Sequence, residues 1–266
     1  MGILLPGILA TAHAQGDSSW VQKWAIPVED VRFFNTDRLL QSYLVTNTQD
    51  LIKYTADGVE QFRYNNRRLG SLARVDVSNA FNLLLYYPDY QTAITLDRTM
   101  NKTGEWNLPA LGFLNVALVA TSSDNQLWLY DTADQRLKKI GADGQVLIQS
   151  DNLLQVLGYP LQAACLLDRG NLIYLSDPVH GIMVFDALGQ YHTTIPLTGV
   201  SDFQMLHSDE EIYHQKDGAL WLYDVRDARS VPQALPGVFG PGVQFQIQRG
   251  HLFVLSEGVL RLFALK

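Results

Sequence analysis

The sequence predicts an all-β protein built from small antiparallel sheets. Apolar segments of four to eight residues recur along the chain and mostly end at Asp, Asn or Gly, which is the pattern of strands separated by turns. No window of useful length has the 3.6-residue periodicity of a helix. The connections are short: TADG at 55–58 and GADG at 141–144 place glycine where a tight hairpin needs a positive backbone angle.

Several predicted strands are apolar on both faces, as in Leu127–Tyr130 and Leu83–Tyr87. A parallel sheet between helices would cover both faces, but it needs long crossover connections, and the sequence has no helical segments to form them. Small sheets packed face to face around an axis cover one another and leave only short edges. The pattern therefore predicts a β-propeller.

Grouping the segments in fours gives blades of about 40 residues, within the range of propeller repeats. Five blades take residues 31–64, 72–109, 114–150, 164–197 and 203–235, and three strands at 243–264 remain for a sixth. The segment LWLYD falls in the second strand of blade three and in the third strand of blade five. One of these two strand assignments can therefore be shifted within its blade, and a propeller of five or seven blades remains an alternative.

The missing strand of the sixth blade is predicted at the other end of the chain. WAIP at 24–27 matches WNLP at 106–109 and TIPL at 194–197, and proline is tolerated in an outer strand because nothing pairs beyond it. With this repeat length, strand pattern and split last blade, the chain resembles the six-bladed β-propeller superfamily, the NHL-like and TolB-like group, over Trp20–Lys266. The resemblance implies one domain, a six-bladed β-propeller of four-stranded antiparallel blades closed by an N-terminal strand, and implies little about function.

Composition and the N-terminus bear on compartment and partners. With 27 acids against 20 bases the formal charge is −7, which disfavours nucleic acid as a partner. Residues 1–14 contain an apolar run followed by Ala12-His13-Ala14, the small-x-small pattern of a signal peptidase site, although the basic n-region is missing. We therefore expect a truncated signal peptide and an exported protein, periplasmic or extracellular, with no transmembrane segment in the mature chain. Cys165 is the only cysteine, so no intrachain disulfide is expected, and its apolar neighbours predict a buried core residue.

The candidate site lies on one face of the predicted ring. Loops joining second to third strands share that face with the connections between blades, and every blade places an acid there. These acids are Asp50, Asp89, Asp131 with Asp134, Asp177, Asp217 and Glu257. They can hold Ca²⁺ or another divalent cation, or attract a basic segment of a partner. The alternative is that aspartate favours such turns because its side chain bonds the local backbone, with no cofactor bound.

Four further residues are candidates on the same face. His180 follows Asp177 closely and is a candidate base or metal ligand, or a solvated loop histidine. Tyr90 can contribute to a binding surface, and Arg67 and Arg68 can grip an anion or simply be solvated. A second cluster, HSDEEIYH at 207–214, maps to the opposite face, and we do not expect it to bind metal.

Linear catalytic motifs such as G-x-S-x-G, H-E-x-x-H and the P-loop are missing from the sequence. Propeller enzymes assemble their sites from residues on separate blades, so the lack of a linear motif leaves an enzymatic function as an alternative. The favoured hypothesis is an exported, non-catalytic, monomeric propeller that binds a protein or cell-envelope component through its loop face. The alternative is a metal-dependent hydrolase or lyase with a carboxylate site at the mouth of the axial channel.

Overall fold

A computed structural model describes residues 20–206 and 209–266 and contains six four-stranded antiparallel sheets. Five blades use consecutive strands, and the sixth joins the first strand of the chain to the last three. The predicted fold class and blade count are confirmed. The signal peptide at 1–14 lies outside the described residues, as do His207 and Ser208 of the 207–214 cluster.

The strands follow the sequence segments closely. Blade 1 contains β2 (Val31–Thr36), β3 (Ser42–Thr46), β4 (Asp50–Tyr54) and β5 (Glu60–Asn65). Blade 2 contains β6 (Arg74–Asp76), β7 (Asn82–Tyr87), β8 (Thr92–Asp97) and β9 (Lys102–Asn107). Blade 3 contains β10 (Val116–Thr121), β11 (Leu127–Asp131), β12 (Arg136–Ile140) and β13 (Val146–Gln149).

The second half of the ring continues the same order. Blade 4 contains β14 (Cys165–Arg169), β15 (Leu172–Asp177), β16 (Gly181–Asp186) and β17 (Tyr191–Ile195). Blade 5 contains β18 (Phe203–Gln204), β19 (Glu211–Lys216), β20 (Ala219–Asp224) and β21 (Arg229–Pro232). Blade 6 contains β22 (Gln244–Gln248), β23 (His251–Ser256), β24 (Val259–Leu265) and β1 (Trp20–Pro27). The remaining elements are a short helix, α1 (Leu153–Leu157), and three 3-10 turns at 67–69, 88–90 and 109–111.

The apolar core is divided among the interfaces between blades. Six buried clusters occur, one between each pair of neighbouring blades, including the pair formed by blades 6 and 1. All five residues of β11 are buried because its two faces contact different neighbours: Leu129 packs toward blade 2 and Trp128 toward blade 4. This confirms the physical argument for the fold, in which each sheet covers the apolar face of the next.

The ring closes through β1. It pairs antiparallel with β24 along its length, from Trp20 opposite Leu265 to Pro27 opposite Val259. The indole N–H of Trp24 donates to the carbonyl of Ala56, in the outer hairpin of blade 1, at 2.8 Å. Proline ends the strand at the ring's outer edge, as predicted.

The same contact occurs inside the ring, where the Trp106 indole N–H donates to the carbonyl of Gly141 at 2.9 Å. The matching segments WAIP and WNLP thus each hold the hairpin of the following blade, TADG or GADG. The repeated LWLYD segment lies in the second strand of blade 3 and the third strand of blade 5. Both strand assignments made from the sequence are therefore confirmed.

Candidate functional site

The two ends of the ring differ in the loops they carry. Because neighbouring strands run in opposite directions, the loops after second strands and the connections after fourth strands emerge at one end, here called the loop face. The turns after the inner strands emerge at the other end, here called the hairpin face. The sequence-predicted site residues all belong to loop-face segments.

The acids of blades 1 and 2 contact their own surroundings. Asp50 accepts a hydrogen bond from Thr48 at 3.1 Å and forms an ion pair with Arg63 at 3.6 Å. Asp89 accepts from the backbone N–H of Ser71 at 2.8 Å, in the connection that enters blade 2. These carboxylates stabilise loops within and beside their own blades.

Blade 3 contains a buried charge cluster. The ammonium group of Lys138 lies 2.8 Å from Asp131 and 2.6 Å from Asp134, and 5.4 Å from the centre of the Phe113 ring. The side chains of Lys138 and Asp131 are 8% and 5% exposed, so this pair is shielded from water. Burial alone would lower the pKa of Lys138, but the bonds to both carboxylates outweigh it and raise this pKa above its usual value.

Blade 4 brings His180 and Asp177 together. The His180 Nδ1 lies 3.1 Å from the Asp177 carboxylate, and the imidazole stacks on the Tyr159 ring with 3.7 Å between ring centroids. Asp177 is fully buried and also accepts from the backbone amides of Gln162, Val179 and His180. Burial alone would raise the pKa of Asp177, and these hydrogen bonds hold it below its usual value.

The acids of blades 5 and 6 lie in two-residue hairpins. Asp217 and Glu257 have positive φ values of 52° and 52°, and each precedes a glycine that also has positive φ. Asp217 lines the axial channel, and Glu257 lies against Gly240 of the preceding connection. Within 20–206 and 209–266, no three His, Cys, Asp or Glu side chains form a group that could hold a metal ion.

Arg67 and Arg68 lie in an exposed 3-10 turn between blades 1 and 2. Tyr90 ends the next 3-10 turn and is 59% exposed. Tyr90 belongs to a set of exposed apolar side chains on successive loop-face segments of blades 2 to 4, which we call the apolar arc. Its members are Tyr90, Leu114, Leu154, Val156 and Val179, between 41% and 72% exposed.

Hydrogen bonds join the segments that carry the apolar arc. The Leu108 amide donates to Gln91 O at 3.0 Å, and the Thr132 amide donates to Asn115 O at 2.9 Å. The next step is the Leu153 amide, which donates to Gln135 O at 2.8 Å where α1 begins. The Tyr159–His180 stack then completes the connection to blade 4. The segments that carry the apolar side chains are therefore held to one another by hydrogen bonds and a ring stack.

The axial channel encloses a cavity of about 1090 Å³. Its wall includes the inner strands of blades 1, 2, 4, 5 and 6, and residues of β19 also line it beside β18, which has only two residues. Gln244, Gln246 and Gln248 line the channel, whereas the alternate residues Phe245 and Ile247 are buried. The alternation QFQIQ is the sequence pattern of this wall. It predicts channel-lining glutamines only once β22 is known to be an inner strand.

At the loop-face end of the channel, Arg74 of blade 2 reaches across to blade 4. Its guanidinium donates to Leu166 O at 2.8 Å and contacts the Cys165 sulfur at 3.3 Å. Cys165 is buried, as the sequence predicts, and burial raises its pKa to about 12. The thiol is therefore protonated near neutral pH and is a poor nucleophile.

His214 is the buried histidine of the channel wall. It is 4% exposed, and neither ring nitrogen has a hydrogen-bond partner among the described residues. Burial, with a smaller contribution from the charge of Lys216, lowers the pKa of His214.

We expect the free energy of unfolding to fall as the pH drops from 7.5 to 5. The unfolded chain binds a proton at His214 near its ordinary pKa of about 6.5, but the folded protein binds it only at lower pH. Denaturant titrations at several pH values measure this. His214→Gln should reduce the change in the free energy of unfolding with pH. His192→Gln, at an exposed site, should leave this pH dependence unchanged. An unchanged slope in His214→Gln would contradict the assignment.

The comparisons with known proteins agree with this architecture. No protein-family model matches the sequence, and no curated protein matches it. Solved structures with the same fold include a streptogramin B lyase, at 11% identity and a TM-score of 0.55, covering 93% of this chain and 97% of that one. BamB from Moraxella catarrhalis matches at 10% identity and a TM-score of 0.54, covering 93% and 98%. Virginiamycin B lyase from Staphylococcus aureus matches at 8% identity and a TM-score of 0.57, covering 93% and 100%.

At these identities the likeness concerns the fold alone. No helix in the described part of the chain combines the length and apolar character needed to cross a membrane. Twenty-four strands in six blades, closed by β1, and the match of these structures over 93% of the chain identify the described part of the chain as a six-bladed β-propeller.

Proposed function

We propose that this protein is an exported propeller that binds a protein or another cell-envelope component through the apolar arc of its loop face. The observation that carries the proposal is the arc itself. Five large apolar side chains are exposed on consecutive segments of blades 2 to 4, and contiguous exposed apolar surface marks interaction sites. BamB and the lyases support the choice only as examples of the same fold in other proteins.

Rigidity of the arc favours binding. The carboxylates around it are engaged in hydrogen bonds and ion pairs that fix the loops, so little conformational freedom is lost when a partner docks. Asp89 and Asp134 remain partly or fully exposed beside the arc. They favour a partner whose contact surface is apolar at its centre and basic at its edge.

Site-specific photo-crosslinking in the native host tests the arc. A photoreactive residue at Leu114 or Val179 should give a discrete adduct, whereas the same residue at Leu39 or Val59, away from the arc, should not. Leu114→Asp combined with Val179→Asp should abolish the adduct formed from position 90. Equal labelling from all positions, or adducts only from positions 39 and 59, would place the binding surface elsewhere.

Export has its own test. Cell fractionation followed by N-terminal sequencing should find the protein outside the cytoplasm, beginning at Gln15. Retention of the intact chain in the cytoplasm contradicts this part of the proposal without affecting the arc.

The second candidate, a hydrolase or lyase, is favoured by one observation. Asp177 orients His180 through Nδ1, which leaves Nε2 as the atom that can accept a proton, as in other histidine general bases. A thermal-shift titration with Ca²⁺, Mn²⁺ and Zn²⁺ separates the metal-dependent version from the binding proposal. We do not expect any of these metals to produce a rise in Tm that depends on Asp177. A metal-induced rise in Tm that is lost in Asp177→Asn would favour the enzyme.

A further inference from the structure

Three arginines line the channel toward the hairpin face. Arg38 follows the inner strand of blade 1, Arg169 ends that of blade 4, and Arg249 follows that of blade 6. The protein carries a formal charge of −7, so three arginines at one end of a single channel stand out from the rest of the surface. They belong to inner strands and turns that the apolar arc does not use.

Among the described residues, none of these arginines forms an ion pair with a carboxylate. Arg169 donates to the backbone carbonyl of Leu206. Arg249 donates to the backbone carbonyl of Arg38 at 3.3 Å, which places these two residues next to each other. A guanidinium has five N–H donors, so one such bond leaves most of them available.

The two acids that line this end of the channel, Asp37 and Asp76, form no ion pair with the arginines, and their oxygens accept hydrogen bonds from other donors. Asp37 accepts from two backbone amides of its own turn and from the Tyr43 hydroxyl at 2.9 Å. Asp76 accepts from the backbone amides of Ser78 and Thr121 at 2.9 and 2.7 Å. The guanidinium groups therefore keep N–H donors that these two carboxylates do not occupy.

Part of the wall above the arginines consists of uncharged glutamine side chains. The Gln204 side chain donates to Gln246, and Gln244 donates to the backbone carbonyl of Arg32 at 2.8 Å, so these amides are held in place. His214, nine-tenths buried, lines the same cavity with both ring nitrogens unpartnered among the described residues. A buried, unpaired polar group of this kind is costly unless a ligand or solvent satisfies it.

We propose that the channel binds an anionic ligand, whose carboxylate or phosphate group contacts Arg38, Arg169 and Arg249 and whose uncharged polar part lies along the glutamine wall. Arginine forks recognise both anions through paired N–H donors. A channel with low-dielectric walls concentrates the field of these charges, even in a protein of net negative charge. The cavity of about 1090 Å³ has room for a ligand larger than a single anion.

Isothermal titration of the whole protein with citrate and with pyrophosphate, at low ionic strength, tests the site. We expect saturable binding with a Kd of about 1 mM or tighter, weakening as NaCl is added. Arg249→Gln and Arg38→Gln should each weaken it by about tenfold, the loss expected for one charged hydrogen bond. Arg229→Gln, on an exposed outer strand, should leave it unchanged.

The two probes distinguish the anion. Tighter binding of citrate assigns a carboxylate ligand, and tighter binding of pyrophosphate assigns a phosphate ligand. Absence of saturable binding by both, or equal loss in Arg229→Gln, overturns the proposal. Thermal unfolding without ligand checks that the variants are folded, and Arg38 and Arg249 are suited to the test because they are exposed. Leu114→Asp with Val179→Asp should retain anion binding, so the channel site and the apolar arc can fail separately.

Discussion

Replacing Lys138 by methionine is expected to lower the free energy of unfolding by about 3 to 5 kcal/mol, the usual cost of removing one partner of a buried ion pair. Lys138 is the cation of the cluster in blade 3, and its partner Asp131 is only 5% exposed on its side chain. Without the ammonium group, the Asp131 carboxylate would remain charged in a poorly solvated place, or it would have to bind a proton. Denaturant-induced unfolding at pH 7 measures the loss.

A double variant separates the charge effect from packing. Asp131→Asn with Lys138→Met removes both charges, and we expect it to recover a large part of the stability lost in Lys138→Met alone. The matched control is Lys139→Met, because Lys139 pairs with the exposed Asp124 and should change stability by less than about 1 kcal/mol. If Lys138→Met costs no more than Lys139→Met, the pair does not stabilise blade 3 as described.

The same cluster shows why the acids of the loop face were hard to interpret from sequence. The positions of Asp131, Asp134 and Asp177 at strand ends are readable because turns favour aspartate. Their partners are Lys138, two residues into the next strand, and the backbone amide of Gln162, in a separate connection. Partners of that kind follow from the tertiary packing. From the sequence alone, the acids could therefore be interpreted either as a ring of metal ligands or as side chains that bond the backbone of their own turns.

The fold was more predictable because its determinants are local. Three local patterns were sufficient: hairpin turns with glycine, strands that are apolar on both faces, and a proline in the outer strand. Together they predicted the blades and the closure of the ring. Helix α1 was missed because five residues capped by Asn152 are too few to show helical periodicity. The predicted range of blade 5 begins at residue 203, but its inner strand β18 has only two residues, and residues of β19 line the channel beside it.

The site in the channel was missed for a geometric reason. Arg38, Arg169 and Arg249 are separated from one another by at least 80 residues in sequence and share only the end of an inner strand. The proximity of Arg38 and Arg249 depends on the ring closing, since β22 of blade 6 must lie beside β2 of blade 1 for Arg249 to reach Arg38. Closure of the ring therefore determines both the stability of the fold and the existence of this site.

Trp24→Ala is expected to weaken that closure, with a loss of about 3 kcal/mol in the free energy of unfolding, as for other large aromatic truncations. The indole packs edge-on against Phe253 with 6.0 Å between ring centroids and holds Ala56 of blade 1 through its N–H. Trp24→Phe keeps most of the packing and loses only the hydrogen bond, so about 1 kcal/mol is expected.

Trp106→Ala is the matched control, because Trp106 makes the equivalent bond between blades 2 and 3, where the chain is continuous. Both alanine variants lose stability, but only Trp24→Ala frees a terminal strand. The backbone amides of β24 that pair with β1 should then exchange with solvent faster, and hydrogen exchange of residues 259–265 measures this directly. Detachment of β1 would also move blade 6 relative to blade 1 and weaken anion binding at Arg38 and Arg249. If residues 259–265 stay as protected in Trp24→Ala as in Trp106→Ala, the N-terminal strand is not the element that closes the ring.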